Sequence, residues 1–505
     1  MPTSAEPAPL RCHLLIGPPA SGKTTLATVL AELVGGQVLS TDAIRAELFG
    51  DAGIQGPWAE VEAALHNRIR EEVAAGVPLI LDATHGQRPW RLAITQALAL
   101  PAPVQWIGWW LTTPLDQCLA WDQARERQAG AEVIERVHGY LPSAIYVPDP
   151  IFLRKLNEDP SLRAEKLSKQ ARVFLDKKCG FFREEGFASV VAVNPAEIPN
   201  LRTHCRGVLG ELDRNIQAAC NRRQSLVPHG YSRLLDLERL LYLIRLLLEF
   251  PAVEFYNHTK DDPEELREEV AQLRRSFRFQ RDAPLPVPDQ ATFAVRAAFA
   301  LAHRHGPCYG HTDAVERDLD WLWQQGFTSA FTVDREVNPG PVSDLVRASL
   351  NAGAGFPQGA DRRIFQRQLG LLRYLIQNPF EAADEDNSLN PDLRLEGRKL
   401  SRSSSHDPST EGRPGTRPKR RPQRQSASLR LHLLEKLRAI QGIDYRSHRK
   451  PYGSAKETGT HEASASNGAE QEAQKQQLST LDKDIELLIT GYGFRNLLSS
   501  DSNNR

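Results

Sequence analysis

His13-Leu14-Leu15-Ile16-Gly17-Pro18-Pro19-Ala20-Ser21-Gly22-Lys23-Thr24-Thr25 places an apolar run of strand character directly before the pattern G-x-x-x-x-G-K-[ST], and a helical pattern follows it. A strand before and a helix after are the context in which this pattern forms a phosphate-binding loop. Glycines let successive backbone N–H groups converge on phosphate oxygens, and the helix N-terminus adds its partial positive charge. In this reading Gly17, Pro18, Pro19, Ala20, Ser21, Gly22, Lys23, Thr24 and Thr25 hold a nucleotide. Lys23 reaches the β- and γ-phosphates, and the Thr24 hydroxyl ligates Mg²⁺. Such a loop takes ATP or GTP and leaves open what is done with it.

The residues downstream narrow the chemistry. Short apolar runs at Cys12–Ile16, Gln37–Ser40, Leu79–Leu81, Val104–Leu111 and Ser189–Val193 alternate with amphipathic stretches such as Thr24–Val34 and Trp58–Ala75. That alternation predicts an α/β domain, a parallel sheet with flanking helices, over residues 11–198. Asp42 follows the second run and would lie at the carboxyl edge of the sheet, beside the nucleotide. Either it accepts a proton from an acceptor hydroxyl or it caps the next helix. Asp82 ends the third run, where P-loop enzymes carry their second Mg²⁺-side carboxylate. Arg125 and Arg127 stand after a helix, where they either close a lid on phosphates or line a solvated face.

In this order the pieces resemble the P-loop (AAA-like) ATP-binding kinases grouped with polynucleotide kinase and zeta-toxin-like proteins, over roughly Leu10 to Val193. The carriers are Gly17–Thr25, Asp42 with Arg45, Leu81-Asp82-Ala83-Thr84, Thr113-Pro114-Leu115 with Cys118, Arg125 with Arg127, Val133-Ile134 and Glu184-Glu185-Gly186-Phe187. The resemblance implies ATP-dependent phosphorylation of a hydroxyl, with Asp42 as base, Arg45 gripping the substrate's phosphate and Arg125 or Arg127 in a lid. His85 stands where many such proteins carry Asn, and Asp122 where Asn is common. The segment Pro142–Lys178 lengthens the connection before Glu-Gly-Phe.

The rest of the 505-residue chain reads as mainly helical. Residues 201–345 and 360–500 are expected to form two winged-helix-like modules, the second interrupted by disordered insertions at 384–427 and 453–477, and residues 1–10 a flexible N-terminus. Val315–Phe327 looks like a recognition helix entering a wing, with Leu319 and Leu322 facing the core and Arg317 facing a groove, although an amphipathic helix ending at glycine explains the same pattern. A weak internal repeat pairs Val315–Phe327 with Leu481–Phe494 and Arg239–Pro251 with Gln368–Pro379.

Formal net charge is +0, from 63 basic and 63 acidic residues, so nucleic-acid contact would have to come from local patches such as Arg413–Arg424. Six scattered cysteines form neither a metal-ligand nor a disulfide pattern, and no apolar run reaches the ~20 residues that span a bilayer. These features point to a cytoplasmic protein with no membrane segment. The leading expectation is a kinase acting on a nucleic-acid end or a nucleotide-like hydroxyl, and its competitor an ATP-binding regulator whose helical modules bind DNA or a protein partner.

Overall fold

The computed structural model describes residues 9–156, 160–223, 225–249, 292–325, 327, 338–377, 434 and 462–494. The chain divides into two compact units, one of residues 1–316 with 340–362 and the other of residues 317–339 with 363–505.

The first unit is built on five parallel strands: β1 (Leu10–Ile16), β2 (Gln37–Ser40), β3 (Leu79–Asp82), β4 (Val104–Leu111) and β5 (Ser189–Val193). Their order is β2-β3-β1-β4-β5, so β1 lies at the centre and the chain crosses over between neighbours. Every residue of β4 is buried, because both faces of a parallel sheet are covered by crossover helices. Strand period then divides β1 between two cores. Cys12, Leu14 and Ile16 pack with Val61, Leu65 and Ile69 of the helix Trp58–Ala74, while Leu15 packs on the other face with Leu26 and Leu30 of α1 (Lys23–Val34).

The five expected strands are all present. The helix Leu201–Arg222, which follows the boundary expected at residue 198, adds Cys205, Leu212 and Ile216 to the second core. Deleting it would uncover that face of the sheet. The lengthened connection Pro142–Lys178 contains the helices Pro150–Lys155 and Pro160–Arg183, the second of which leads back to β5.

In the second unit, Asp484 is buried and takes a bidentate ion pair from Arg367 (2.6 and 3.2 Å) and a hydrogen bond from the Gln368 amide (3.1 Å). The helix Thr312–Gln324 spans the division between the units. Leu322 is buried, as expected, whereas Leu319 is half-buried, and Arg317 is exposed. The repeated segments bury matching positions: Val315 with Leu481, Asp318 with Asp484, and Leu322 with Leu488. Residues 328–337, which follow the segment read as the entry to a wing, the insertion 384–427 and the basic run 413–424 lie outside the described residues. Of the insertion expected at 453–477, residues 462–477 instead begin the helix Glu462–Glu486. Their Ala, Glu, Gln and Lys content favours helix despite its low hydrophobicity.

Candidate active site

The phosphate loop runs from the end of β1 into α1 in the conformation its glycines permit. Ala20 and Gly22 have φ of 59° and 92°, and Gly22 caps α1 without any side-chain hydrogen bond, leaving the first-turn N–H groups to face the loop. A Cβ on Gly17 would stand 2.8 Å from Ser21 Oγ and 3.0 Å from Leu111 Cβ, so the loop has room only for glycine there. Ser21 Oγ is buried without a hydrogen-bond partner, although Ser21 O accepts from the Thr113 hydroxyl at 2.8 Å. Behind the loop, Ala20, Cys118 and Ile134 form a small apolar cluster.

Lys23 is buried and donates to Pro18 O at 2.6 Å. Burial pulls its ammonium down to about 8 against the opposing pull of Asp82. Thr24 Oγ1 donates to Asp82 Oδ2 at 2.9 Å, and burial pushes the Asp82 carboxyl above its usual range. Thr25, next in the first turn, is exposed. An orphaned buried hydroxyl, a cradle that admits only glycine and a hydroxyl–carboxylate pair of hard oxygens fit a nucleotide phosphate with its Mg²⁺.

The second carboxylate stands one strand away. Ser40 is in register with Asp82, so Asp42 begins beside the Thr24–Asp82 pair. The cap of the helix Thr41–Phe49 is Ser40, whose Oγ accepts from the Asp42 N–H at 3.2 Å. Asp42 therefore leaves its carboxylate out of the capping role. That carboxylate receives Arg45 at 2.9 Å and Arg127 at 3.5 Å, and Arg127 also donates to Ala52 O at 2.7 Å. Arg125 is exposed, and its charge acts on both Lys23 and Asp82.

Several supports were not evident from residue type alone. Asp122 is buried, and its two oxygens accept the N–H groups of Ala129 and Gly130 at 3.0 Å each, closing the loop that carries Arg125 and Arg127. His85 holds φ 40°, a left-handed conformation that Asn, Asp and His enter more readily than other side chains, and its Nδ1 lies 2.9 Å from Leu15 O. An Asn at this position would meet the same backbone demand. Burial takes the His85 imidazole down to about 4, which keeps it neutral.

Below that loop Arg91 forms a buried ion pair with Glu185 (2.5 and 2.9 Å) and donates to His85 O and Gly86 O at 2.8 and 2.9 Å. The Glu-Glu-Gly-Phe segment is thereby tied to the strand end bearing Asp82. Replacing Arg91 by alanine would leave Glu185 buried and underpaired, and the expected loss is about 3–5 kcal/mol. Urea unfolding would measure it, and a loss under about 1 kcal/mol would mean that the pair is dispensable.

Fold and site together define a parallel-sheet α/β domain with a P-loop-like phosphate cradle, followed by a mainly helical remainder. Residues 12–144 match the AAA domain family. No curated protein matches the chain. Among solved structures, a gluconokinase from Sinorhizobium meliloti 1021 aligns at 14% identity and a TM-score of 0.25, over 42% of this chain and 97% of its own. A provisionally assigned kinase from Chloroflexus aurantiacus j-10-fl aligns at 20% identity and a TM-score of 0.23, over 32% of this chain and 98% of its own. Among the described residues no helix is long and apolar enough to cross a membrane.

Proposed function

We propose that the first unit binds ATP and transfers its γ-phosphate to a hydroxyl of a nucleic-acid end or nucleotide-like acceptor. The observation that carries the reading is Asp42: a carboxylate free of helix capping, at the sheet edge next to the Thr24–Asp82 pair and flanked by Arg45 and Arg127. The acceptor oxygen attacks the γ-phosphorus, its proton passes to Asp42, and the bond to the β-phosphate oxygen breaks to release ADP. Lys23 binds the β- and γ-phosphates, while Arg45, Arg125 and Arg127 hold developing negative charge. Mg²⁺, held by Thr24 and Asp82, would neutralise phosphate charge.

The helical remainder is proposed to supply the winged-helix modules and a weak DNA contact. Exposed Arg317, on a helix whose Val315 and Leu322 are buried, supports that assignment. All six cysteines are free, which supports a reducing compartment such as the cytoplasm. Incubating the full chain with γ-labelled ATP and 5′-hydroxyl DNA, RNA, nucleosides and sugar nucleotides tests the transfer. Label in none of them would refute it. Filter binding of the full chain to duplex DNA at two salt concentrations tests the contact, with retention falling steeply as salt rises.

A further inference from the structure

At the opposite end of the sheet from the phosphate loop, a cavity of about 250 Å³ is lined by Arg183, Glu184, Arg222 and Arg223, with Gly355 and Phe356 on a third segment. The loop leaves the carboxyl end of β1, whereas this cavity lies at the amino ends of β4 and β5. Gln105, near the start of β4, donates to Ala352 O at 3.2 Å, and the Gly355 N–H donates to Phe187 O at 3.0 Å, just before β5. From Gln105 to Leu111, which flanks Gly17, β4 runs about 20 Å. A small molecule held here does not reach the nucleotide. Arg183 ends the helix Pro160–Arg183, Arg222 ends the helix Leu201–Arg222, and Arg223 follows it. The third segment is pressed in hard, since a Cβ on Gly355 would stand 1.8 Å from Arg183 O. Arg223 fastens that segment through Nη1, donating to Gly353 O at 2.9 Å and to Ala354 O.

The positive charge gathered here exceeds what the fold asks for. A basic residue in the last turn answers a helix's dipole, which accounts for Arg183 and Arg222 taken singly. It does not account for bringing both onto one cavity with Arg223, where like charges repel. Burial, together with the charges of Arg183 and Arg222, holds the Arg223 guanidinium below its usual range. Compensation is slight. Among the described residues, the carboxylate in ion-pair reach of these arginines is the exposed Asp176, 3.5 Å from Arg183. Glu184, the acid of the lining, is pushed up to about 7 by burial, with Glu185 and Glu238 adding to the rise against the pull of Arg88. At neutral pH it therefore carries only part of a negative charge.

We infer that this cavity binds a small phosphate-type oxyanion through Arg183, Arg222 and Arg223, at a site separate from the nucleotide's. Its volume falls below the roughly 300–1,000 Å³ of pockets that take drug-sized ligands, so the occupant is small. Guanidinium forks converging from two helix ends suit a tetrahedral anion, whose oxygens point in several directions, better than a carboxylate with two oxygens in one plane. The test is calorimetry on the full chain carrying Lys23→Ala, which disables the phosphate loop, with inorganic phosphate, pyrophosphate and citrate as probes. Inorganic phosphate or pyrophosphate should bind at one site, and adding Arg222→Ala should weaken that binding about tenfold. Arg222→Lys, which keeps the charge but loses the fork, should recover part of the loss. Arg214→Ala, which removes an exposed arginine of the same helix outside the cavity, should leave the affinity within about twofold. Arg222 is itself exposed, so its variants should fold, and phosphate should raise their Tm less than that of the Lys23→Ala chain. No binding of either phosphate, an affinity indifferent to Arg222→Ala, an equal loss in Arg214→Ala, or tighter binding of citrate would overturn the inference. None of these results bears on phosphotransfer, which uses the other end of the sheet.

Discussion

Replacing Lys23 by alanine is expected to lower ATP affinity or turnover by about 10²–10³-fold, comparable to removing one preorganised donor from a site of developing charge. Lys23 is the buried ammonium of the phosphate loop, and its contact with Pro18 O keeps it in the loop. The fold should survive, since the side chain costs desolvation and contributes little packing, so circular dichroism melting should change only slightly. A pH signature accompanies the loss. Burial holds the ammonium down to about 8, so the protein without nucleotide sheds this proton as pH rises through that value. Phosphates bind the charged form and must recover the proton. ATP affinity should therefore be full below pH 8 and decline above it by up to about tenfold per unit. In the variant that decline should be absent. Unchanged ATP binding in folded Lys23→Ala would remove the phosphate-loop assignment.

The contrast between Asp42 and Asp122 shows what could be read from the chain. Strands announce themselves by short apolar runs, and a loop whose glycines, lysine and threonine have fixed spacing needs no tertiary information, so β1 to β5 and residues 17–25 were legible directly. Asp42 was legible as a candidate only. Whether it or Ser40 caps the next helix turns on side-chain rotamers, which residue type leaves open, and the Ser40 hydroxyl takes the role. Asp122 differs again. Its partners are backbone N–H groups of Ala129 and Gly130, and such contacts leave no imprint on residue type. The same holds for Arg91 and Glu185, which meet across a long sequence separation because β3 and β5 flank the central strands of one sheet. For residues 462–477 composition misled. Low hydrophobicity argued against order, but helix propensity is a local backbone property that polar Ala-, Glu- and Gln-rich stretches also possess.

Changing Asp42 to asparagine is expected to leave ATP binding within about threefold and to lower transfer to the acceptor by about 10²–10⁴-fold, the range over which a positioned proton acceptor acts. The amide keeps the side chain's shape but takes no proton, and it loses the charge that draws Arg45 and Arg127. Two outcomes divide the roles of that charge. If Asp42 is the base, labelled ATP remains bound and single-turnover transfer nearly stops. If it served instead to support the metal side, ATP·Mg²⁺ affinity would fall in step with turnover, because Asp82 and Thr24 lie one strand away and sense the same charge. Stability provides the control. Ser40 caps the helix, so Asp42→Asn should cost under about 1 kcal/mol, whereas Ser40→Ala removes the cap and should cost about 1 kcal/mol with less effect on transfer. A variant pair in which Ser40→Ala abolishes transfer and Asp42→Asn keeps it would reverse the assignment.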